Sequence, residues 1–327
     1  MATRIGIVGL GIGKVHVGIL SAIPGVLVAG VCDVAEPVAQ KVAAQYGATA
    51  YNSYEQLLET AALDAVVLCT PPALHAPMTE SAARRGVHVF CEKPMAGTLA
   101  DCERMNAAAR AHGTLLMIGL KKRFSPYYRF IKERCREADA PILWANVRYA
   151  LGRVDKDWFW NETSGGGPLV ENAVHLVDAL QFVIGDVKQV TAKGGTLFMT
   201  ERAPVPDVAA VIFEFAGGAV ASLGLGYGSE WPMTREEVTM ASRRHVFELS
   251  GPFDRAQALR WAERANPAQI AAPTLHEGDF DGGMTAELHH FVECVRTGAK
   301  PLADGEAGLS AVRVCLAMKR SIAEGGS

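Results

Sequence analysis

The chain has 327 residues, with 32 Lys plus Arg against 35 Asp plus Glu and a formal net charge of -3. So small an imbalance builds no positive field for nucleic acid or an anionic membrane surface. With 49% hydrophobic and 20% charged residues the sequence is neither disordered nor a coiled coil, and at about 150 residues per domain its length predicts two domains with substantial cores.

Glycine, 33 of 327 residues, exceeds the usual ~7%, so where the glycines fall is informative. The seven cysteines, Cys32, Cys69, Cys91, Cys102, Cys135, Cys294 and Cys315, form no C-x-x-C pair and several lie inside apolar runs. That pattern predicts reduced thiols and a cytoplasmic protein. The longest uncharged stretch, Val17 to Cys32, is shorter than the ~18 residues a membrane helix needs and is interrupted by Pro24, Gly25 and Gly30. Lys14 and His16 break the first apolar run and argue against a secretory leader.

From residue 4 to about 120, short runs rich in Val and Ile alternate with alanine-rich segments of helical period, the grammar of a βαβ fold. Strands are predicted at Arg4 to Gly9, Val26 to Asp33, Ala48 to Tyr51, Asp64 to Thr70, Val87 to Cys91 and Thr114 to Gly119. Each is a continuous apolar run, as a parallel sheet covered on both faces requires. Helices are predicted at Pro37 to Tyr46, Ser53 to Thr60, Ala76 to Arg85 and Leu99 to His112, three of them followed by Gly47, Gly86 and Gly113 as helix stops. After about residue 121 come a basic-aromatic stretch, Lys121 to Tyr128, a helix to Ala138 and a strand at Ile142 to Ala150. A Gly165-Gly166-Gly167-Pro168 turn then opens a helix. Alternating strands follow at Val187 to Leu197, Val208 to Phe215 and Ala219 to Tyr227, and helical period returns at Met284 to Arg296 and Glu306 to Ala323. The expected fold is α/β: an N-terminal doubly wound parallel sheet over residues 1–120, and an α/β domain with an open, largely antiparallel sheet over 121–327.

The segment Gly9-Leu10-Gly11-Ile12-Gly13-Lys14 follows a strand and opens a helix, and Asp33 ends the second strand. Strand, glycines, helix, strand and acid together predict a dinucleotide site. Gly9 allows the tight turn, Gly11 admits the pyrophosphate, and the helix N-terminus around Ile12 and Gly13 faces it. The usual spacing is G-x-G-x-x-G; here the third glycine comes one residue early and Lys14 stands in its place, which leaves Gly13 without an evident role. A P-loop is a poor match, because Val15 stands where Ser or Thr belongs and Val8 where Gly belongs. The Asp33 carboxylate would accept from ribose hydroxyls and repel a 2′-phosphate, so NAD is the expected cofactor, with NADP as the alternative.

Thr70-Pro71-Pro72-Ala73-Leu74-His75 and Cys91-Glu92-Lys93-Pro94 each follow a predicted parallel strand, at the edge where open α/β sheets bind ligands. On residues alone, Lys93 either presents its ammonium to a substrate oxygen or is a surface lysine opening a loop. Glu171, His175 and Asp178 stand at i, i+4 and i+7, on one face of the helix after Pro168. That set reads either as an acid-base unit, since imidazole titrates near neutrality, or as a structural hydrogen-bonding group. Glu287-Leu288-His289-His290 is not H-E-x-x-H, and no metal site is expected.

Taken in order, Gly9-Leu10-Gly11 with His16, Asp33, Thr70-Pro71-Pro72 with His75, Glu92-Lys93-Pro94, Arg123-Phe124, Gly165-Gly166-Gly167 with His175 and Asp178, and Glu287 to Phe291 resemble the Gfo/Idh/MocA oxidoreductases. The resemblance spans nearly the whole chain. It implies a Rossmann domain holding a nicotinamide cofactor, contacted by Gly9, Gly11, Ile12, Gly13, Asp33, Thr70, Pro71, His75, Glu92 and Lys93. It also implies a second domain whose exposed sheet face assembles a homodimer or homotetramer, and a sugar, cyclitol or related polyol as substrate. By the same resemblance Lys93 holds the reacting oxygen and His175 takes the hydroxyl proton as hydride passes to the nicotinamide, with the Lys93-Pro94 bond often cis. Glu171, which replaces the family's Asp four residues before the histidine, joins Asp178, Arg123 and Trp158 as substrate contacts, and Trp158, Trp160 and Trp231 are candidates for sugar stacking or for core packing. The alternatives are an NAD-dependent glycosidase on the same fold and a non-catalytic NAD-sensing regulator.

Overall fold

A computed structural model of the chain describes residues 2–162, 165–229, 235–251, 258–263 and 282–326. Contacts divide the chain into two compact units, Met1–Leu120 with Thr285–Leu309, and Lys121–Met284 with Ser310–Ser327.

In the first unit six strands, β1 (Thr3–Val8), β2 (Val26–Cys32), β3 (Thr49–Tyr51), β4 (Ala65–Leu68), β5 (His88–Cys91) and β6 (Leu116–Ile118), lie in the order β3-β2-β1-β4-β5-β6. Every pair is parallel. The helices between them are α1 (Gly13–Ala22), α2 (Glu36–Tyr46), α3 (Tyr54–Thr60), α4 (His75–Arg84) and α5 (Leu99–His112). Ile5, Ile7, Val66, Val67, Leu68 and Phe90 are fully buried, which is why these strands read as unbroken apolar runs. Gly47 and Gly113 end α2 and α5 in the left-handed conformation, the stops that the sequence predicts. Residues 285–309 lie in the domain-two range on the sequence reading but pack within this unit. α10 (Met284–Thr297) sets Phe291 edge-on to Phe90 at 5.5 Å, and Arg296 donates to Thr3 Oγ1 at 3.0 Å.

The second unit is built on a seven-stranded sheet of β7 (Ile142–Gly152), β8 (Val187–Gly195), β9 (Val208–Phe215), β10 (Val220–Ser229), β11 (Arg235–Ser242), β12 (His245–Gly251) and β13 (Ala258–Glu263), in the order β13-β12-β11-β7-β10-β9-β8. Only β7 and β10 pair in parallel; the other neighbours are antiparallel. One face alternates strictly inward, with Val211, Phe213, Leu223, Leu225, Met240 and Phe247 buried. The unit's helices are α6 (Pro126–Glu137), α7 (Asp157–Trp160), α8 (Pro168–Glu171) and α9 (Ala173–Ile184), while α11 (Gly305–Ala323) runs from the first unit's residues into the second's. Among the described residues no helix is long and apolar enough to cross a membrane, and no cluster of three or more His, Cys, Asp or Glu is placed to hold a metal ion.

Candidate active site

In the first unit the functional residues gather at the carboxyl ends of β1, β2, β4 and β5. Gly9 has φ +85°, and a Cβ there would stand 2.5 Å from the Cys69 carbonyl oxygen, so this turn against β4 can be made only by glycine. At Gly11, by contrast, a Cβ would meet no atom within 4 Å. The backbone edge there is open for a ligand to approach. No side chain caps α1 and no acid lies in its first turn, so the positive end of the helix is left for an anion.

Gly13 begins α1, and a Cβ on it would press on Ile7 Cγ2 at 3.1 Å and on Cys69 Cβ and Sγ at 3.4 and 3.5 Å. The early glycine therefore supplies the close helix-to-strand packing that the third glycine of the usual motif provides. The turn is one residue shorter, and Lys14 is exposed in the first helical turn. Asp33 ties this turn to the start of α2, accepting from Leu10 N–H at 2.7 Å through Oδ2 and from Ala35 N–H at 2.9 Å through Oδ1. Ile12 and Val34 beside it are 43% and 96% exposed, which leaves an apolar rim next to the acid. The open Gly11 edge, the unclaimed helix end and the acid at the second strand fit a dinucleotide. Gly9 to Gly13 would hold its pyrophosphate and Asp33 its adenosine ribose.

Deeper in the same unit, His75 is fully buried between two strand-end loops. Its Nε2 lies 2.8 Å from Thr70 O, and its Nδ1 lies 3.1 and 3.2 Å from Pro94 O and Met95 O. Burial pushes its pKa below the ordinary imidazole value although the three carbonyls favour the protonated ring. The residue thus pins the Thr70-Pro71 loop to the Lys93-Pro94 loop from beneath rather than lining the surface. Glu92 is similarly committed, with Oε1 2.7 Å from His16 Nε2 and Oε2 accepting from Lys93 N–H at 3.1 Å. Burial works to raise the Glu92 carboxyl, but the His16 hydrogen bond and the neighbouring Lys93 outweigh it and hold the group below the usual carboxylate range. Lys93 is partly buried at the head of this loop, and the Lys93-Pro94 peptide is cis.

In the second unit the glycine turn seats the helix pair. A Cβ on Gly165 would fall 2.5 Å from Trp158 O and 2.6 Å from Phe159 O. On Gly167, whose φ is +70°, it would fall 2.2 Å from Val205 Cγ1. Val205 belongs to a loop that Asp207 organises: its fully buried carboxylate accepts from the N–H groups of Leu197, Phe198 and Met199 at 2.7, 2.9 and 2.6 Å. Sequence reasoning passed over Asp207, an acid at the head of a strand with nothing local to mark it. An Asp207→Asn variant keeps the shape but turns one acceptor into a donor facing backbone N–H. It is expected to lose about 1–3 kcal/mol, checked by its unfolding midpoint in urea.

The single helix expected after Pro168 is two. Asn172, with φ -110°, separates α8 from α9, and its side chain hydrogen-bonds the buried Tyr227 hydroxyl. Tyr227, stacked on Phe159 at 5.3 Å, is a second residue the sequence reading missed, since its partner is distant in the chain. Glu171 lies at the end of α8, while His175 and Asp178 lie on α9; all three are buried, with 6%, 5% and 1% exposure. Arg123 clamps Asp178, with Nε 3.0 Å from both Oδ1 and Oδ2 and Nη2 2.7 Å from Oδ1. The pair read as substrate contacts is thus joined by its own ion pair, one helical turn from His175. Trp160 is buried and donates to Val154 O at 2.7 Å, which makes it core. Trp158 is partly exposed with the Lys156 ammonium 6.0 Å from its ring. Trp231 lies outside the described residues.

A doubly wound parallel sheet with an open glycine turn and an acid on the second strand defines a protein of the dinucleotide-binding Rossmann class. Residues 3–120 match the family model described as the oxidoreductase family with an NAD-binding Rossmann fold, residues 141–241 the GFO/IDH/MocA C-terminal domain, and residues 245–327 the oxidoreductase C-terminal alpha/beta domain. The chain therefore belongs to the GFO/IDH/MocA oxidoreductase family and carries that family's NAD-binding Rossmann domain. It is 27% identical to the uncharacterized oxidoreductase YrbE of Bacillus subtilis over 98% of this chain and 94% of that protein. It is 24% identical to the myo-inositol 2-dehydrogenase of Thermotoga maritima over 98% of this chain and 96% of that one. Among solved structures it is similar to the aldose-aldose oxidoreductase of Caulobacter crescentus complexed with glycerol, with a TM-score of 0.88, 27% identity and coverage of 99% and 98%.

Proposed function

We propose that this chain is an NAD-dependent dehydrogenase that oxidises a secondary alcohol of a sugar, cyclitol or related polyol, with Lys93 and His175 in catalysis. The observation that carries the reading is the cofactor turn at Gly9 to Gly13 with Lys93 anchored at a strand end of the same sheet. Relatives that act on inositols and aldoses support the substrate class. Bound NAD supplies the acceptor for the hydride leaving the carbinol carbon. Lys93 Nζ donates to the reacting oxygen and stabilises the negative charge that grows on it. His175 takes the O–H proton, which is then held on its imidazole as the carbinol carbon becomes a ketone.

Residues 1–120 serve the cofactor in this reading, and residues from 121 onward bind substrate and assemble the oligomer. The outer sheet face, where Trp144, Val220 and Val246 are 47%, 41% and 40% exposed, suits a homodimer or homotetramer. Seven cysteines without a disulfide suit a reducing cytoplasm.

The test is a panel of myo-inositol, D-glucose, D-xylose and sugar acids with NAD and with NADP, read at the reduced-nicotinamide band. Stoichiometric NADH from at least one member is expected, with NAD preferred by about tenfold or more, because a carboxylate at Asp33 would accept from ribose hydroxyls and repel a 2′-phosphate. NADP preference would overturn the Asp33 assignment. Glycoside cleavage without net NADH would replace the dehydrogenase by a glycosidase, and binding of NAD without turnover of any polyol would leave a regulator.

A further inference from the structure

We propose that His16 is a positioning residue, which holds Lys93 in place through the Glu92 carboxylate and so joins the cofactor turn to the proposed catalytic lysine. The inference rests on the Lys93 assignment above but not on any role for His175.

His16 stands on α1, three residues after the glycine that starts the helix, and is completely buried. Its Nε2 is 2.7 Å from Glu92 Oε1, while its Nδ1 is buried with no hydrogen-bond partner among the described residues. An Nδ1–H there would be a buried donor left unsatisfied, whereas an Nε2–H meets a carboxylate oxygen. The proton therefore sits on Nε2, and the ring donates to the carboxylate. The other carboxylate oxygen receives the Lys93 N–H at 3.1 Å. Glycine at 119 leaves room for it, since a Cβ there would be 3.1 Å from Glu92 Oε2. Glu92 N–H in turn bonds Leu68 O, and Gly119 N–H bonds Cys91 O, so the carboxylate is caged on the end of β5. The result is a chain of contacts from the first helical turn behind the glycine loop to the backbone of Lys93. A general structural histidine would need no such line to a strand-end lysine. Here each link is a hydrogen bond to a group with a single geometry.

Three variants test it: His16→Leu, which removes the donor; His16→Gln, whose amide Nε2–H can reach the carboxylate; and Glu92→Gln, which weakens the acceptor without changing shape. The first readout needs no turnover: amide hydrogen exchange at Lys93. His16→Leu is expected to speed it by about tenfold or more, and His16→Gln to return it to within about threefold of the parent, as loss and recovery of one charge-assisted bond require. The second readout is kinetic, on whichever of myo-inositol, D-glucose or D-xylose is turned over. His16→Leu is expected to lower kcat by about ten- to a hundredfold, the cost of a misplaced reacting group. The NADH dissociation constant, read from its fluorescence, should change less than about threefold in the two His16 variants, because uniform binding is untouched.

Parent-like exchange at Lys93 in His16→Leu overturns the proposal. So does a pattern in which Lys93 amide protection, kcat and NADH affinity are all lost together and glutamine rescues none of them, because that is a merely structural role. If His16→Leu does not fold, Glu92→Gln carries the test, with faster Lys93 exchange supporting the proposal and parent-like exchange overturning it. A Lys93→Met control separates the two readings: exchange that responds to His16 while Lys93→Met still turns over would keep the positioning and remove the catalytic lysine.

Discussion

A Lys93→Met protein is expected to turn over its polyol about a thousandfold more slowly than the parent while binding NADH with a dissociation constant within a few-fold of it. The size follows from what the ammonium does in the proposed reaction. An alcohol oxygen losing its proton gathers negative charge as hydride departs, and a preorganised cationic donor favours that state over the ground state. Removing one such donor typically costs a factor of about 10² to 10³ in kcat. Lys93 is partly buried, which keeps the ammonium in a medium where its charge is less screened than in water. Methionine matches the stem in length and bulk, so the loop keeps its packing and the substitution removes charge rather than shape. The cofactor turn is on other residues, Gly9 to Gly13 and Asp33, which is why NADH affinity should survive. Reduced-nicotinamide absorbance gives kcat, and NADH fluorescence gives affinity. Turnover at the parental rate would remove Lys93 from the chemistry; parallel loss of affinity would mean that the lysine binds cofactor instead.

The first unit could be read almost directly because local physics decides it. Strands covered on both faces must be apolar throughout, and Ile5, Val66 and Phe90 in the interior sit in runs that say so. Glycines end helices where the backbone must turn left-handed, as at Gly47 and Gly113. What the pattern could not say was why Gly13 came early, because the answer lies in Ile7 on β1 and in Cys69 just past the end of β4. The second unit was less legible for the same kind of reason. β11 and β12 were not anticipated: one of their inward positions is Glu236, a charge where the alternation calls for an apolar residue. Its partners, Tyr128 and Lys122, are 108 and 114 residues away. Asn172, where the helix breaks, likewise bonds Tyr227, a partner 55 residues on. The Arg123 to Asp178 clamp joins two residues that the motifs singled out separately. Sequence marks both as important but gives no sign that each is the other's partner.

Glu236 also sets the largest stability effect expected in the molecule. Its side chain is wholly buried, with Oε1 receiving the Tyr128 hydroxyl at 2.6 Å and Oε2 bonded to the Lys122 ammonium, itself 3% exposed. Lys122→Met would leave that carboxylate buried with one neutral donor, and breaking a buried pair from one side costs about 3–5 kcal/mol. If instead both charges are removed together, as in Lys122→Met with Glu236→Leu, the remaining cost is the unpaired Tyr128 hydroxyl, about 1–3 kcal/mol. Adding Tyr128→Phe should bring stability back to near the parent, because an apolar replacement of a whole buried ion pair is often neutral or better. All five tryptophans, Trp144, Trp158, Trp160, Trp231 and Trp261, fall within the second unit's residues, so their fluorescence during urea unfolding reports on that unit. The expected order of midpoints is parent and triple variant highest, the double variant lower and the single variant lowest. A single variant as stable as the parent would show that the charge is not confined as the geometry indicates. Lys122 immediately precedes Arg123, so the ion pair also holds the turn that presents Arg123 to Asp178. In that arrangement the second unit's buried charge supports its core and the proposed His175 helix through one short stretch of chain.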